Sequence, residues 1–228
     1  MKPGAILLMG LPGAGKGTQA FRLAAQFPNF VHFDTGGEIY RRVTDPHFAN
    51  DPLIQEQRRI HLSGDLNTPE WVAGLVSERI RFYSGKGQGV IFSGSPRTLL
   101  EAEAIVPLLE ECYGPEQILV AYLGISEGTA KARARNRLTC PNKGCRYPTT
   151  RAKEGTPCPK CETILEEDPE ERWKINELPS RFREFRERTA PTIDFLGRHF
   201  GITKINAEKS EEEIFAALAT AVRKKFKL

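Results

Sequence analysis

The sequence has no long hydrophobic segment and no large excess of charge of either sign. An unbroken apolar run such as Ile118–Leu123 is far shorter than the roughly 18 residues that a membrane span needs. Residues 1–3 lead directly into a short strand-like stretch, so we expect neither a signal peptide nor a membrane anchor. With 33 basic and 29 acidic residues the net charge is +4, so neither a membrane nor nucleic acid is expected as a partner.

Cysteines are few, and they are clustered. Four of the five lie within Cys140–Cys161, and the odd total without a secretory signal favours a metal site over a disulfide framework. We therefore expect a reducing, cytoplasmic compartment. Hydrophobic residues make up 39% of the chain, which is enough for an ordinary core, and 228 residues predict one main domain with a smaller insertion or two.

Short apolar segments alternate with segments of helical periodicity. The apolar segments are residues 4–9, 31–33, 89–92, 118–123 and 202–205. After the first of them, Ala20, Leu23 and Phe27 recur at helical spacing. Near the other end, Ser210 and Glu213 form a capping box ahead of a final helix. The alternation predicts a parallel α/β sheet of five strands with helices on both faces.

Two polar stretches interrupt this alternation, and we expect both to be insertions. Residues 35–69 are polar and contain prolines, and residues 138–173 are rich in cysteine, proline and glycine. The core would then comprise residues 1–34, 70–137 and 174–228.

A glycine-rich loop follows the first apolar segment and precedes the first predicted helix. In this context glycines let backbone N–H groups surround phosphate oxygens, and a lysine supplies an ammonium for the β- and γ-phosphates of a nucleotide. A merely structural turn would have no use for that lysine. The residues predicted to bind ATP here are Gly10, Gly13, Ala14, Gly15, Lys16, Gly17 and Thr18. Gly17 occupies the usual Ser/Thr position of such loops, and Thr18 comes one residue later.

With this loop, which reads GxPGxGKGT, the chain resembles the nucleoside monophosphate kinases, and among them the adenylate kinases with a zinc-bearing lid. Residues 34–41 are similar to the family's TGDxLR segment with one residue added, and residues 64–69 to its next acceptor-side loop. The other matches are residues 93–98 with DGFPRT, 133–137 with RxxxR, and 181–191 with RLxxYxxxTxP. The resemblance implies a three-layer P-loop kinase fold in which residues 35–69 bind the nucleoside monophosphate and residues 138–173 form the lid.

The resemblance also implies roles for individual residues. The catalytic cations would be Lys16 and Arg137 on the ATP phosphates, with Arg97, Arg133 and Arg181 on the transferring group. ATP would also contact Tyr147 and Lys209. The acceptor AMP would contact Thr35, Gly36, Arg41, Asp65, Leu66, Asn67, Gly94, Arg97, Glu101 and Arg181.

Arginines suit this task, because phosphoryl transfer needs charge neutralisation and alignment more than covalent help. Arg133 and Arg137 lie four residues apart, so both can reach one polyphosphate from one helical face. Arg97 follows a predicted strand, where open α/β sheets bind their ligands. The alternative, solvated surface, is our interpretation of Arg135, Arg183, Arg186 and Arg188.

Four cysteines predict a metal site in the lid. Cys140 and Cys145, and then Cys158 and Cys161, form two turns that could each present two thiolates to one tetrahedral Zn²⁺. Disulfides or free thiols are the alternatives. The family's first pair is usually closer than the CxxxxC found here. Four thiolates leave no position for water, so we expect this metal to be structural.

The chain departs from the family pattern at three functional positions. Where the family has an aspartate that holds the waters around Mg²⁺, this chain has Ser93. Where the family has a glutamine that reads the acceptor base, this chain has Glu101, and it has Leu165 in place of a lid arginine. The carboxylate of Glu101 would oppose N1 of adenine but would suit the N–H donors of guanine. Alternatively, Glu101 points to solvent at the start of a helix and reads nothing.

The expected activity is the reversible reaction of ATP·Mg²⁺ with AMP to give two ADP, in a monomer that closes its lid over both nucleotides. A second hypothesis keeps the mechanism and changes the acceptor to another nucleoside monophosphate such as GMP. A third is a non-catalytic module that binds nucleotide and zinc.

Overall fold

The structure is a computed structural model, and it describes residues 3–63, 65–135, 138–142, 145, 148–149, 155–158, 161–166 and 178–228. Two residues with predicted roles, Arg137 and Tyr147, lie outside the described residues, and so does Gly64 in the acceptor-side loop.

Five parallel strands form the central sheet, and two more form a small antiparallel pair in the lid. The strands are β1 (Ala5–Gly10), β2 (Phe30–Phe33), β3 (Gly89–Phe92), β4 (Ile118–Gly124), β5 (Leu138–Thr139), β6 (Pro148–Thr149) and β7 (Thr203–Asn206). The large sheet has the order β2-β3-β1-β4-β7, and β5 pairs with β6. The predicted five-stranded parallel sheet is confirmed, although β7 begins one residue later than its apolar segment.

Helices occupy the segments between the strands. They are α1 (Lys16–Gln26), α2 (Thr35–Thr44), α3 (Pro52–Leu62), α4 (Pro69–Gly85), α5 (Leu99–Tyr113), α6 (Glu127–Arg135), α7 (Leu178–Glu184), α8 (Ala190–Phe200) and α9 (Glu211–Phe226). A π-helical segment, Phe185–Thr189, connects α7 to α8. Short 3₁₀ turns occupy Pro46–Phe48 and Pro115–Gln117.

The central strand β1 separates two hydrophobic cores, because successive side chains of a strand point to opposite faces. Leu7 and Met9 pack in a core shared with α4, α5 and α8. Ile6 and Leu8 pack on the opposite face with α1 and α9. All six residues of β1 are buried, as expected for a parallel strand covered on both sides.

The two stretches predicted as insertions have distinct local structure. Residues 35–69 contain α2 and α3 with the 3₁₀ turn between them, and α4 begins at Pro69. In the described part of residues 138–166, β5 pairs with β6 and a β-bridge joins Pro157 to Ile164. A small cluster of buried side chains, with Leu138 and Leu165 as its leucines, packs around the cysteines.

The final helix begins as its capping box predicts. The hydroxyl of Ser210 accepts a hydrogen bond from the backbone N–H of Glu213, and the Glu213 carboxylate accepts one from the N–H of Ser210. These two bonds satisfy N–H groups that have no partner within the helix, which fixes the start of α9 at residue 211.

Candidate active site

The phosphate loop connects the end of β1 to the start of α1. Gly10, Gly13 and Gly15 have φ values of 144°, 89° and 88°, which side chains other than glycine rarely adopt. At Gly13 a Cβ atom would also lie 2.7 Å from the carbonyl oxygen of Ala130 in α6, so the loop packs closely against that helix. At Gly15 and Gly17 an added Cβ would have no atom within 4 Å. The loop is therefore packed against α6 at Gly13, whereas the space beside Gly15 and Gly17 is open.

Lys16, the first residue of α1, reaches back across this loop. Its Nζ donates to the carbonyl oxygen of Gly10 at 2.7 Å and to that of Leu11 at 2.9 Å. Helix α1 has no acidic residue in its first turn and no side-chain cap at its N-terminus. The ammonium and the positive end of the helix dipole thus lie at the same place, which is an arrangement suited to phosphate.

The segment after β3 forms the other half of the site. The Nε of Arg97 donates to the carbonyl oxygen of Gly94 at 2.8 Å, and the hydroxyl of Thr189 donates to the carbonyl of Arg97 at 3.1 Å. A Cβ on Gly94 would lie 3.3 Å from Cβ of Thr35 and 3.4 Å from a terminal nitrogen of Arg97. Three residues with a predicted role at the acceptor, Thr35, Gly94 and Arg97, therefore lie together.

Thr35, the first residue of α2, has a polar side chain in a buried position. It is buried, and its hydroxyl has no hydrogen-bond partner among the described residues. A buried polar group without a partner is destabilising, by about 1–3 kcal/mol. A ligand that supplied the missing bond would remove that penalty, so the hydroxyl fits the predicted acceptor contact.

Glu101 is buried, which excludes the alternative that it points to solvent. One carboxylate oxygen accepts from the backbone N–H of Arg97 at 3.0 Å, and the other lies 3.3 Å from the hydroxyl of Thr98. The Thr98 hydroxyl in turn caps α5 by accepting from the N–H of Glu101. Burial raises the pKa of Glu101, and the bond from Arg97 opposes that shift. The side chain therefore holds the arginine loop in place.

Arg41 lies in a network of charges on the acceptor side. A terminal nitrogen of Arg41 is 2.6 Å from one oxygen of Glu38, and Arg79 of α4 is 3.0 Å from the other. Glu38 is nearly buried between them, whereas the side chain of Arg41 is 71% exposed. The acceptor-phosphate role of Arg41 stays a prediction.

On the opposite side of the phosphate loop, α6 is tied to the segment between β7 and α9. Glu208 accepts from the N–H of Ser126 and from the hydroxyl of Thr129, both at 2.6 Å. A terminal nitrogen of Arg133 is 3.4 Å from the carbonyl oxygen of Lys209. Two residues predicted to act on ATP, Arg133 and Lys209, are thus in contact, and the sequence motifs gave no signal for Glu208. Arg181 lies on α7, half-buried.

The position that lacks the family's aspartate has a different partner. The hydroxyl of Ser93 lies 2.8 Å from Nε2 of His32 on the neighbouring strand β2. Burial lowers the pKa of His32, although the Asp34 carboxylate opposes this shift. A neutral pair thus occupies the place where the resemblance has a negative charge. Nothing in the spacing of His32 pointed to this contact.

The four lid cysteines converge on one point. The sulfurs of Cys140 and Cys161 are 3.4 Å apart, those of Cys145 and Cys158 are 3.7 Å apart, and all four lie within 4.8 Å of one another. Sulfur ligands 2.3 Å from a tetrahedral ion would be about 3.8 Å apart, whereas a disulfide would need about 2 Å. The cluster has the dimensions of a metal site, and the disulfide alternative is wrong for this structure.

Leu165 is part of the buried cluster that surrounds these cysteines. It is 1% exposed and packs with Leu138, Cys140 and Cys158, and its N–H donates to the carbonyl of Thr156. An arginine could not occupy this position without burying its charge. The structure thus gives Leu165 a packing role in the lid.

Comparison with known proteins agrees with this geometry. A family model described as an AAA domain matches residues 9–138, which include the phosphate loop. Adenylate kinases of Pseudothermotoga lettingae and Brevibacillus brevis are each 30% identical to the chain, over 96% of it and over 98% and 99% of their own lengths. That of Elusimicrobium minutum is 28% identical over 96% of the chain and 99% of its own.

The chain belongs to the adenylate kinase family. It is accordingly a nucleoside monophosphate kinase. In the part of the kinase that the structure describes, no helix has the length and apolar character needed to span a bilayer.

The close approach of Gly13 to α6 leads to a stability prediction. Gly13→Ala combines an unfavourable positive φ with a clash against the Ala130 carbonyl. Gly87→Ala, the matched control, has φ of 68° but no atom within 4 Å of the added Cβ. We expect the control to lose about 1 kcal/mol of unfolding free energy and Gly13→Ala at least about twice that. Equal losses in denaturant titrations would show that the Ala130 contact does not constrain the loop.

Proposed function

We propose that this kinase transfers the γ-phosphoryl group of ATP to AMP and gives two ADP, reversibly. The observation that carries the proposal is the buried hydroxyl of Thr35. It has no partner among the described residues, and it lies beside Gly94 and Arg97 at the same edge of the sheet as the phosphate loop. One edge thus offers a site for a polyphosphate and a second site for a smaller polar ligand.

The donor would be bound by the phosphate loop. Lys16 would exchange its bonds to the Gly10 and Leu11 carbonyls for bonds to the ATP phosphates, and the start of α1 would add its dipole. Mg²⁺ would enter with ATP and shield the phosphate charge. Because position 93 carries a neutral hydroxyl, the phosphates themselves would provide most of the binding for that ion.

The acceptor would be bound by the Thr35–Arg97 side. Arg97 would neutralise charge on the acceptor phosphate and the transferring group, and the Arg97 loop is already fixed by Glu101 and Thr189. Arg133, Arg137 and Arg181 are proposed as the further cations. Closure of the lid would exclude water, which otherwise competes as acceptor.

The lid cysteines would hold one Zn²⁺ as four thiolates. The distances among their sulfurs fit that ion, and burial of Cys140 and Cys158 would keep solvent from it. A closed shell of four thiolates would stabilise the lid and would leave no open position for chemistry.

A panel of AMP, GMP, CMP and UMP, each assayed with ATP and Mg²⁺, tests the proposed reaction. AMP should be the best acceptor. A clear preference for GMP would favour the second hypothesis, to which the carboxylate of Glu101 lends some support. No diphosphate formation with any of the four would refute kinase activity altogether.

For Lys16→Ala we expect kcat to fall by at least about two orders of magnitude, because the lost ammonium stabilises charge on the transferring phosphates. Lys86→Ala is the control, since Lys86 caps the far end of α4, next to the amino end of β3. Steady-state assays and melting curves of both variants would separate catalysis from folding. Near-normal turnover of Lys16→Ala would contradict the assignment.

Glu101→Gln should lower KM for AMP by roughly five- to a hundred-fold if the side chain contacts the base, since the amide can donate to adenine N1 and accept from N6. The Gln oxygen can still accept from Arg97, so the loop should persist. Because the pKa of Glu101 is raised, its protonated form becomes more abundant as the pH falls. The difference in KM between the two proteins should therefore narrow at lower pH. Unchanged KM values for AMP and GMP would show that position 101 contacts no base.

We expect one tightly bound zinc per chain after expression with sufficient metal. Elemental analysis of Cys112→Ser should give the same content, because Cys112 lies outside the cluster, whereas Cys140→Ser and Cys158→Ser should lose the metal. Metal loss should unfold the lid and lower activity while the core sheet still melts cooperatively. If elemental analysis finds no zinc in the wild-type protein, the proposed zinc lid is refuted.

A further inference from the structure

A buried amide cluster joins α3 to the segment just before α4. Its members are Gln57 on α3 and the consecutive residues Asn67 and Thr68. Gln57 is 1% exposed and Asn67 is 5% exposed. Gln57 lies on the same face of α3 as the buried Ile54, so a polar side chain occupies a position where helical periodicity favours an apolar one.

Four hydrogen bonds hold the cluster together. The Gln57 side-chain oxygen accepts from Nδ2 of Asn67 and from the backbone N–H of Thr68, each at 3.1 Å. The Gln57 side-chain nitrogen donates to the hydroxyl of Thr68 at 2.6 Å. Nδ2 of Asn67 also donates to the backbone carbonyl of Gln57 at 2.7 Å. Both amide hydrogens of Asn67 are therefore used within the protein, and its side chain cannot also donate to a ligand.

The cluster includes the side chain of Thr68, which is the N-cap residue of α4. Thr68 is the residue before α4 and has the extended ψ of 121° typical of an N-cap, yet its side chain makes no cap hydrogen bond. The hydroxyl accepts from Gln57 instead. An N-cap bond is worth about 1 kcal/mol. Two apolar side chains could fill the same space without burying amides. The cluster thus places the Thr68 hydroxyl against Gln57 and holds residues 67 and 68 to α3.

We propose that Gln57 is a positioning residue for the acceptor nucleotide, which holds residues 65–68 so that their backbone lines the acceptor site. This inference rests on the proposed function, because the acceptor role of Asp65, Leu66 and Asn67 is part of it. Gln57 itself touches no substrate. It acts through the bonds to Asn67 and Thr68, and Asn67 contributes through its backbone.

The test compares two identical substitutions on one helix. Gln57→Leu removes the cluster, whereas Gln55→Leu removes an exposed glutamine whose side chain donates to the carbonyl of Ala49. For Gln57→Leu we expect KM for AMP to rise about tenfold, with KM for ATP unchanged and kcat within about threefold of wild type. For Gln55→Leu all three constants should stay within about twofold.

A second readout does not depend on activity. Amide hydrogen exchange in the peptide that covers residues 65–68 should be at least about tenfold faster in Gln57→Leu than in wild type or Gln55→Leu, because the N–H of Thr68 loses its acceptor. The double variant Gln57→Leu/Asn67→Leu leaves no unpaired side-chain amide in the cluster. It should regain thermal stability while KM for AMP stays raised, which a purely structural role would not produce.

The experiments distinguish a failure of the proposed reaction from a failure of the positioning role of Gln57. If the wild type prefers another monophosphate, the proposed reaction is wrong, and the same KM ratio is measured with that acceptor. If the wild type phosphorylates none, the exchange rates alone decide whether Gln57 orders the segment. Unchanged exchange, or a KM for ATP that rises in parallel with KM for the acceptor, would overturn the inference.

Discussion

Parallel pairing of the buried strands is the constraint on which the site depends. Since β1 pairs in parallel with both β3 and β4, the chain leaves all of these strands at one edge of the sheet. The phosphate loop begins at that edge after β1, the Arg97 loop after β3, and α2 with Thr35 after β2. No single loop provides both halves of the site. The hydrophobic cores on the two faces of β1 therefore fix the distance between the phosphate loop and the Arg97 loop as well as the stability of the domain.

Near this edge, several polar side chains form hydrogen bonds to other residues of the protein. Glu101 accepts from Arg97, Asn67 donates to Gln57, and Glu208 accepts from α6. In each case the bond joins a helix or its first residues to a neighbouring connecting segment. Loops have little hydrophobic area to bury, and internal hydrogen bonds take over part of the ordering. The hydroxyls of Thr35 and Ser95 are different, because both are buried and have no partner among the described residues.

The sequence predicted the sheet, the phosphate loop and the cysteine cluster because each depends on a local pattern. Apolar runs, the GxPGxGKGT spacing and paired cysteines are visible without knowledge of tertiary contacts. The contacts of His32 with Ser93 and of Glu208 with Ser126 could not be predicted, since their partners are 61 and 82 residues away in the chain. Gln57 gave a weak signal as a polar residue on the apolar face of α3. The family pattern marks Leu165 only as the replacement of a lid arginine, whereas its burial against Cys140 and Cys158 gives it a packing role.

The two bonds from Lys16 to its own loop bear on how the loop would bind phosphate. The ammonium donates to the Gly10 and Leu11 carbonyls, so part of its hydrogen-bonding capacity is used within the loop. An ammonium has three N–H donors, so a bound phosphate could add to these two carbonyl bonds or exchange with them. A triphosphate offers oxygens to the lysine and to the backbone N–H groups of the loop at the same time. The resting bonds of one side chain therefore set the rearrangement that a polyphosphate would complete as it enters the loop.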